Sequence, residues 1–301
     1  MIMARLSKQQ SKAHNQALEL VALDRDLTED EKEFVLEHFQ EAATATHNLD
    51  GAFFTPEPLA RDLSIEVHGD RIIDLCAGIG RLAWSCRDLW GRRWNNEPAR
   101  DIVCVEKNPD YVTVGKKILP EATWICADVL TVPTLGLGEF DTAISNPPFG
   151  NIARTGDAPG YTGPRFEYHV IAIASTLAQF GAFILPQASA PFRYSGAPYY
   201  SEVRDRECTK FEQQTRIQLG PGAGFDTSIY ADEWRGVSPK VEVAVCDFAE
   251  RAVRTETPPA PVAPASPPHK PRPVVKLHLP GDAEPSAPRA ETLFDLLDEA
   301  S

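Results

Sequence analysis

A chain of 301 residues, 43% hydrophobic and 24% charged, has room for one large α/β core plus appendages. Its net charge of −13 excludes a high-affinity electrostatic clamp on a polyanion, since phosphate contacts need spare Lys and Arg. No apolar run approaches the roughly 18 residues of a membrane span, and MIMARLSKQQ lacks a signal-peptide core, so a cytoplasmic location is expected. The acid is unevenly spread. Residues 1–50 carry five basic and ten acidic groups, whereas residues 151–245 carry nine and ten, a balance compatible with a transient grip on nucleic acid.

Residues 1–48 read as an N-terminal helical extension of two helices, either a lid or a packing element. In the second, Thr28 and Glu31 have capping-box spacing, and Phe34, Val35, Phe39 and Ala42 supply an apolar face. Residues 49–250 then alternate short apolar strands with helical stretches. The strands are RIIDLC (71–76), DIVCVE (101–106), TWICA (123–127), DTAISN (141–146), GAFILP (181–186), RIQLG (216–220) and VEVAVCDF (241–248). The first five are rich in Val, Ile and Leu, as parallel strands buried on both faces require. Seven strands with helical crossovers predict a doubly wound, Rossmann-like α/β sheet, with ligands at the carboxyl ends of its strands.

Residues 251–289 form a Pro-rich linker that cannot pack a core and is expected to be disordered or PPII-like. A short amphipathic segment follows at 290–301, where Leu293, Phe294, Leu296 and Leu297 stand among acids. It is a candidate docking peptide for a protein partner, or a helix that packs back on its own domain. Cys76, Cys86, Cys104, Cys126, Cys208 and Cys246 form no CxxC pair and no zinc spacing, so they are read as reduced core residues and no metal is expected.

Asp74-Leu-Cys-Ala-Gly78-Ile-Gly80 follows the first strand and opens a helix, where glycines let the backbone approach a ligand. Acids recur at the next two strand ends, as Glu106 and Asp128. The first is placed to take ribose hydroxyls, the second an adenine amino group. Gly78 to Ala83 also satisfies a dinucleotide GxGxxA pattern. A carboxylate at Asp74 would repel pyrophosphate, however, and suits a cationic amino group.

Asn146-Pro147-Pro148-Phe149 stands directly after the strand DTAIS. With DLCAGIG, Glu106, Asp128 and the upstream Phe53-Phe54-Thr55-Pro56, residues 51–248 resemble class I S-adenosylmethionine-dependent methyltransferases of the adenine-specific DNA type. The motif order is that of the gamma arrangement and of type I restriction-modification subunits. The resemblance implies S-adenosylmethionine as cofactor, with Phe54 and Thr55 at its methionine part, Gly78 and Gly80 along it, Glu106 on ribose and Asp128 on its adenine. It implies DNA binding, with methyl transfer by direct in-line attack of the adenine amino nitrogen. The side-chain oxygen of Asn146 and the carbonyl of Pro147 would accept that amine's hydrogens and free its lone pair, Pro148 would stiffen the loop, and Phe149 would stack on the extruded base.

Loops 150–165, 187–200 and 220–240 share the same edge. Phe192, Arg193, Tyr194, Tyr230, Trp234 and Arg235 are the candidates to read the substrate there. Three alternatives stay open: an RNA adenine methyltransferase, a protein-glutamine methyltransferase, and a silent cofactor-binding module with a partner-recruiting tail.

Overall fold

The protein is described here by a computed structural model over residues 7–40, 53–235 and 238–249. The Pro-rich linker, the segment at 290–301 and Ala42 lie outside the described residues. The strands are β1 (Arg71–Leu75), β2 (Asp101–Glu106), β3 (Thr123–Cys126), β4 (Phe140–Ser145), β5 (Ala178–Pro186), β6 (Phe192–Arg193), β7 (Ser201–Glu202) and β8 (Val241–Asp247). Six of them form one sheet in the order β3-β2-β1-β4-β5-β8. Every pairing is parallel except that of β8 with β5. The chain runs outward from β1 to β3 and then returns to place β4 beside β1. That reversal opens a crevice at the carboxyl ends of β1 and β4.

Side-chain alternation divides the core between the two faces. Ile73, Leu75, Val103, Val105, Phe183 and Leu185 pack against α7 (Phe166–Ala174) and α8 (Arg206–Thr215). Their neighbours Ile72, Ile102, Cys104, Ile144, Ala182 and Ile184 face α3 (Glu57–Ser64), α4 (Arg81–Ser85) and α6 (Pro109–Ile118). Burying each large side chain contributes about 1.5–3 kcal/mol. Between α4 and β2 lies α5 (Leu89–Asn95).

The expected seventh strand does not form. Residues 216–220 make one isolated antiparallel bridge, Gly220 to Val245. Arg216 is left-handed (φ 64°) where it caps α8, and Pro221 has no N–H to extend a ladder. Ile217 and Leu219 are still buried, which explains the strand-like apolar pattern.

The N-terminal helices, α1 (Lys8–Val21) and α2 (Glu29–His38), pack on the α6 side. Thr28 and Glu31 form a reciprocal capping box, and so do Ser7 and Gln10. Val35 and Phe39 are buried and Phe34 is half-buried. Arg87 lies against the Trp84 ring and pairs with Glu29 of α2 at 3.0 Å. Among the cysteines Cys126 departs from the core reading. It is exposed on edge strand β3, while Cys86, Cys104, Cys208 and Cys246 are buried. No helix of the described residues is long and apolar enough to cross a membrane.

Candidate active site

The crevice at the carboxyl ends of β1, β2, β3 and β4 is a cleft of about 510 Å³. Each strand end delivers one polar group to it, because parallel strands in register finish at one level.

Asp74 lies on β1 with its side chain under the first turn of α4. Its Oδ2 accepts from the Ala83 N–H at 3.2 Å, and its Oδ1 has no partner. Burial pushes this carboxyl up to about 8, with Glu106 adding to the rise and the Ala83 N–H opposing it. Glu106 closes β2 and holds two loops at once. Its Oε2 accepts from the Gly78 N–H and its Oε1 from the Asn108 N–H, both at 2.8 Å. Asp128 follows β3, where Oδ1 accepts from the Leu130 N–H at 3.0 Å and Oδ2 meets the Lys107 ammonium at 3.2 Å. Cys76 stands among these acids in a left-handed conformation (φ 67°). Burial first, then the charges of Glu106, Asp74 and Asp128, hold its thiol far above the ordinary range.

Gly78 needs its freedom twice over. Its φ is +57°, and a Cβ there would meet the Phe54 ring at 3.2 Å. Phe54 and Thr55 line the cleft, with Tyr111 edge-on to Phe54 at 5.2 Å. Gly80 is placed elsewhere. Its left-handed turn starts α4, and it sits against Leu119 and Trp124 outside the cleft lining.

Asn146 follows β4, and its carboxamide orientation is settled by its neighbours. Nδ2 donates to the Phe53 carbonyl at 2.8 Å and to Thr55 Oγ1 at 3.0 Å. Oδ1 is buried and unpartnered. Pro148 lines the cleft beside Asn146, whereas Pro147 is buried and Phe149 leans on Phe53 with ring centroids 6.4 Å apart.

The six residues proposed to read a substrate do not line this cleft. Phe192 and Trp234 are core residues, 2% and 6% exposed, because their elements turn the rings inward. Arg235 donates to the carbonyls of Leu36 and Phe39 and so fastens the end of α2. Tyr230 donates to Asp62 on α3. Tyr194 packs against the core. Arg193 alone of the six is exposed.

The sequence reading overlooked Arg81 and Tyr111. Both line the cleft, and burial lowers the Arg81 guanidinium to about 10, with the nearby Arg235 charge acting in the same direction. The run Gly-Ile-Gly-Arg carries the signal for Arg81, which opens α4 directly after the glycine turn and lines the cleft.

No protein-family model matches the chain, and no curated protein matches it. Solved structures do. One is the methyltransferase subunit of a type I restriction-modification system from Streptococcus thermophilus, at 19% identity and a TM-score of 0.49, covering 73% of this chain and 48% of that one. A type I modification subunit from Vibrio vulnificus matches at 13% identity and 0.48, covering 75% and 51%. The chain thus spans about half the length of each modification subunit. A structure from Listeria monocytogenes, assigned to the class I S-adenosylmethionine-dependent methyltransferases, matches at 12% identity and 0.51, covering 80% and 81%. The fold of this chain is the class I methyltransferase fold.

Proposed function

We propose that this chain transfers a methyl group from S-adenosylmethionine to the exocyclic amino group of adenine in DNA. The observation that carries the reading is the Asn146 carboxamide. The Phe53 carbonyl can only accept, so Nδ2 must face it and Oδ1 must remain the free acceptor. A buried acceptor without a donor costs about 1–3 kcal/mol, and an incoming N–H recovers that cost. An adenine amine holds its lone pair in the ring. Accepting one of its hydrogens pulls the nitrogen toward tetrahedral geometry and exposes the pair.

The cleft residues fit the cofactor on the same grounds. The unpartnered Asp74 Oδ1 suits a cationic amino group, and the Arg81 guanidinium suits a carboxylate. Glu106 and Asp128 line the cleft as carboxylates, the acceptor type that ribose hydroxyls and an adenine amine require. When bound, S-adenosylmethionine supplies an electrophilic methyl carbon. Phe53, Phe54 and Tyr111 wall the cleft with apolar surface.

Incubation with methyl-labelled S-adenosylmethionine and genomic DNA, followed by nucleoside mass spectrometry, tests this. N6-methyladenine is expected. Label on cytosine, on RNA alone or on protein glutamine would overturn the substrate assignment, and failure to bind the cofactor would overturn the whole reading.

A further inference from the structure

The segment between β5 and α8 leaves the catalytic edge and returns as the β6–β7 hairpin, paired Phe192 to Glu202 and Arg193 to Ser201. Its root is fixed to the loop that follows Asn146. Glu167, 1% exposed at the start of α7, accepts from the Gly150 N–H at 2.9 Å and from Ser189 Oγ at 2.6 Å. Gly150 is the residue after Phe149, so one carboxylate ties the candidate catalytic loop to the base of the hairpin.

The far end is held as firmly. Phe192 is buried and stacks on Tyr200, with centroids 6.1 Å apart and planes 23° from parallel. Ser195 N–H and Oγ both donate to buried Glu242, the Gly196 N–H donates to Asp226 at 2.9 Å, and the Val203 N–H to the Pro191 carbonyl. From this rigid frame Tyr199 projects with 82% of its surface exposed, and Arg193 is exposed too. Neither makes a side-chain hydrogen bond, ion pair or ring contact among the described residues. The nearby Glu202 is engaged by Arg204 at 2.6 Å, which leaves the Arg193 charge uncancelled by it.

We propose that the β6–β7 hairpin is a duplex-engaging arm, on which Tyr199 stacks on a DNA base while Arg193 takes a neighbouring phosphate. The inference rests on the adenine-in-DNA reading above and names the surface that would serve it. An adenine taken into the cleft leaves a gap in the base stack, and an aromatic ring fills such a gap at little conformational cost when its backbone is already fixed. Tyr200 and Val203 are exposed beside Tyr199, at 48% and 41%, and the free Arg193 guanidinium on the same hairpin is what favours a base and a phosphate over a purely apolar partner surface.

Fluorescence anisotropy of the full chain with a labelled duplex at low salt, in the presence of S-adenosylhomocysteine, tests the arm. Tyr199→Ala should weaken duplex binding about ten- to a hundredfold, and Tyr199→Phe should leave it within about twofold. Arg193→Gln should lower the salt dependence by about one phosphate contact. Cofactor affinity and melting temperature should not change in any of the three. If the wild-type chain methylates DNA and Tyr199→Ala binds duplex normally, the arm is wrong while the proposed function stands. A Tyr199→Ala defect seen on RNA or on a protein ligand, but not on duplex DNA, also overturns it. A wild-type chain that binds cofactor but no DNA overturns both.

Discussion

The Nδ2 group of Asn146 donates to the main-chain carbonyl of Phe53 at 2.8 Å, across 93 residues of sequence. That bond couples the aromatic stretch before β1 to the loop after β4, and it fixes which end of the carboxamide is free. Asn146→Ala removes the acceptor and the brace together. Methyl transfer should fall by at least about a hundredfold, the scale of a lost preorganised hydrogen-bonding group. Cofactor affinity, measured by calorimetry, should stay within a few fold, because Asn146 acts on the target amine. Near-normal turnover on DNA would refute the assigned role.

Glu106 gives a second expected outcome with the opposite split. Its carboxylate accepts from the Gly78 and Asn108 N–H groups and so shapes two walls of the cleft. Glu106→Ala should weaken S-adenosylmethionine binding about ten- to a hundredfold, through the lost charged acceptor and the released loops. Glu106→Gln keeps one acceptor oxygen and should fall between the two. Equal affinity in all three proteins would show that the carboxylate neither touches the ligand nor organises its loops.

Much of this arrangement is written in local sequence. The strand DIVCVE is apolar through its middle and ends on an acid, and β2 spans those six residues. The Thr28–Glu31 spacing gives a capping box because the two groups satisfy each other's backbone donors within one turn. What was illegible depends on tertiary context. Ile217 and Leu219 have strand spacing and are buried, yet the left-handed Arg216 and Pro221 prevent pairing beyond one bridge. Composition flagged Phe192 and Trp234 as aromatics near the substrate edge but could not say which way the rings turn; both turn inward. A two-residue strand such as β6 is too short for any periodicity, so the hairpin and the exposed Tyr199 had no signature.

Glu167 is expected to act at a distance from the chemistry. It touches neither the cleft nor Asn146, but it spans Gly150 and Ser189 from a fully buried position. Glu167→Ala leaves the Gly150 N–H and the Ser189 hydroxyl without their acceptor, at about 1–3 kcal/mol for the buried hydroxyl and less for the half-buried N–H. Lower thermal stability is therefore expected. A merely structural role would stop there. A positioning role predicts in addition that kcat falls at a temperature where the variant is fully folded, with cofactor affinity unchanged and partial rescue by Glu167→Gln. Normal kcat in the folded variant would restrict Glu167 to stability.

Asp74 yields a pH-dependent prediction whose sign can be worked out. Its carboxyl is pushed up to about 8, against an ordinary value of 3.8. The folded chain therefore holds this proton over a range in which the unfolded chain has released it. Stability from this group is fully present below about pH 4 and is lost as pH rises toward 8, by an amount on the order of a few kcal/mol. Asp74→Asn cannot ionise and escapes the loss. The variant's melting temperature, taken relative to wild type, should rise between pH 5 and pH 8.5 and then level off. The same substitution removes the negative partner proposed for a cationic ligand, so cofactor binding should weaken as stability improves. In the wild type that ligand should displace the proton, which calorimetry at pH 7 in two buffers of different ionisation enthalpy would register. A melting difference that is flat with pH, together with no proton release on binding, would mean that Asp74 is ionised throughout, and unchanged cofactor affinity in Asp74→Asn would mean that its unpartnered oxygen is not the amine site.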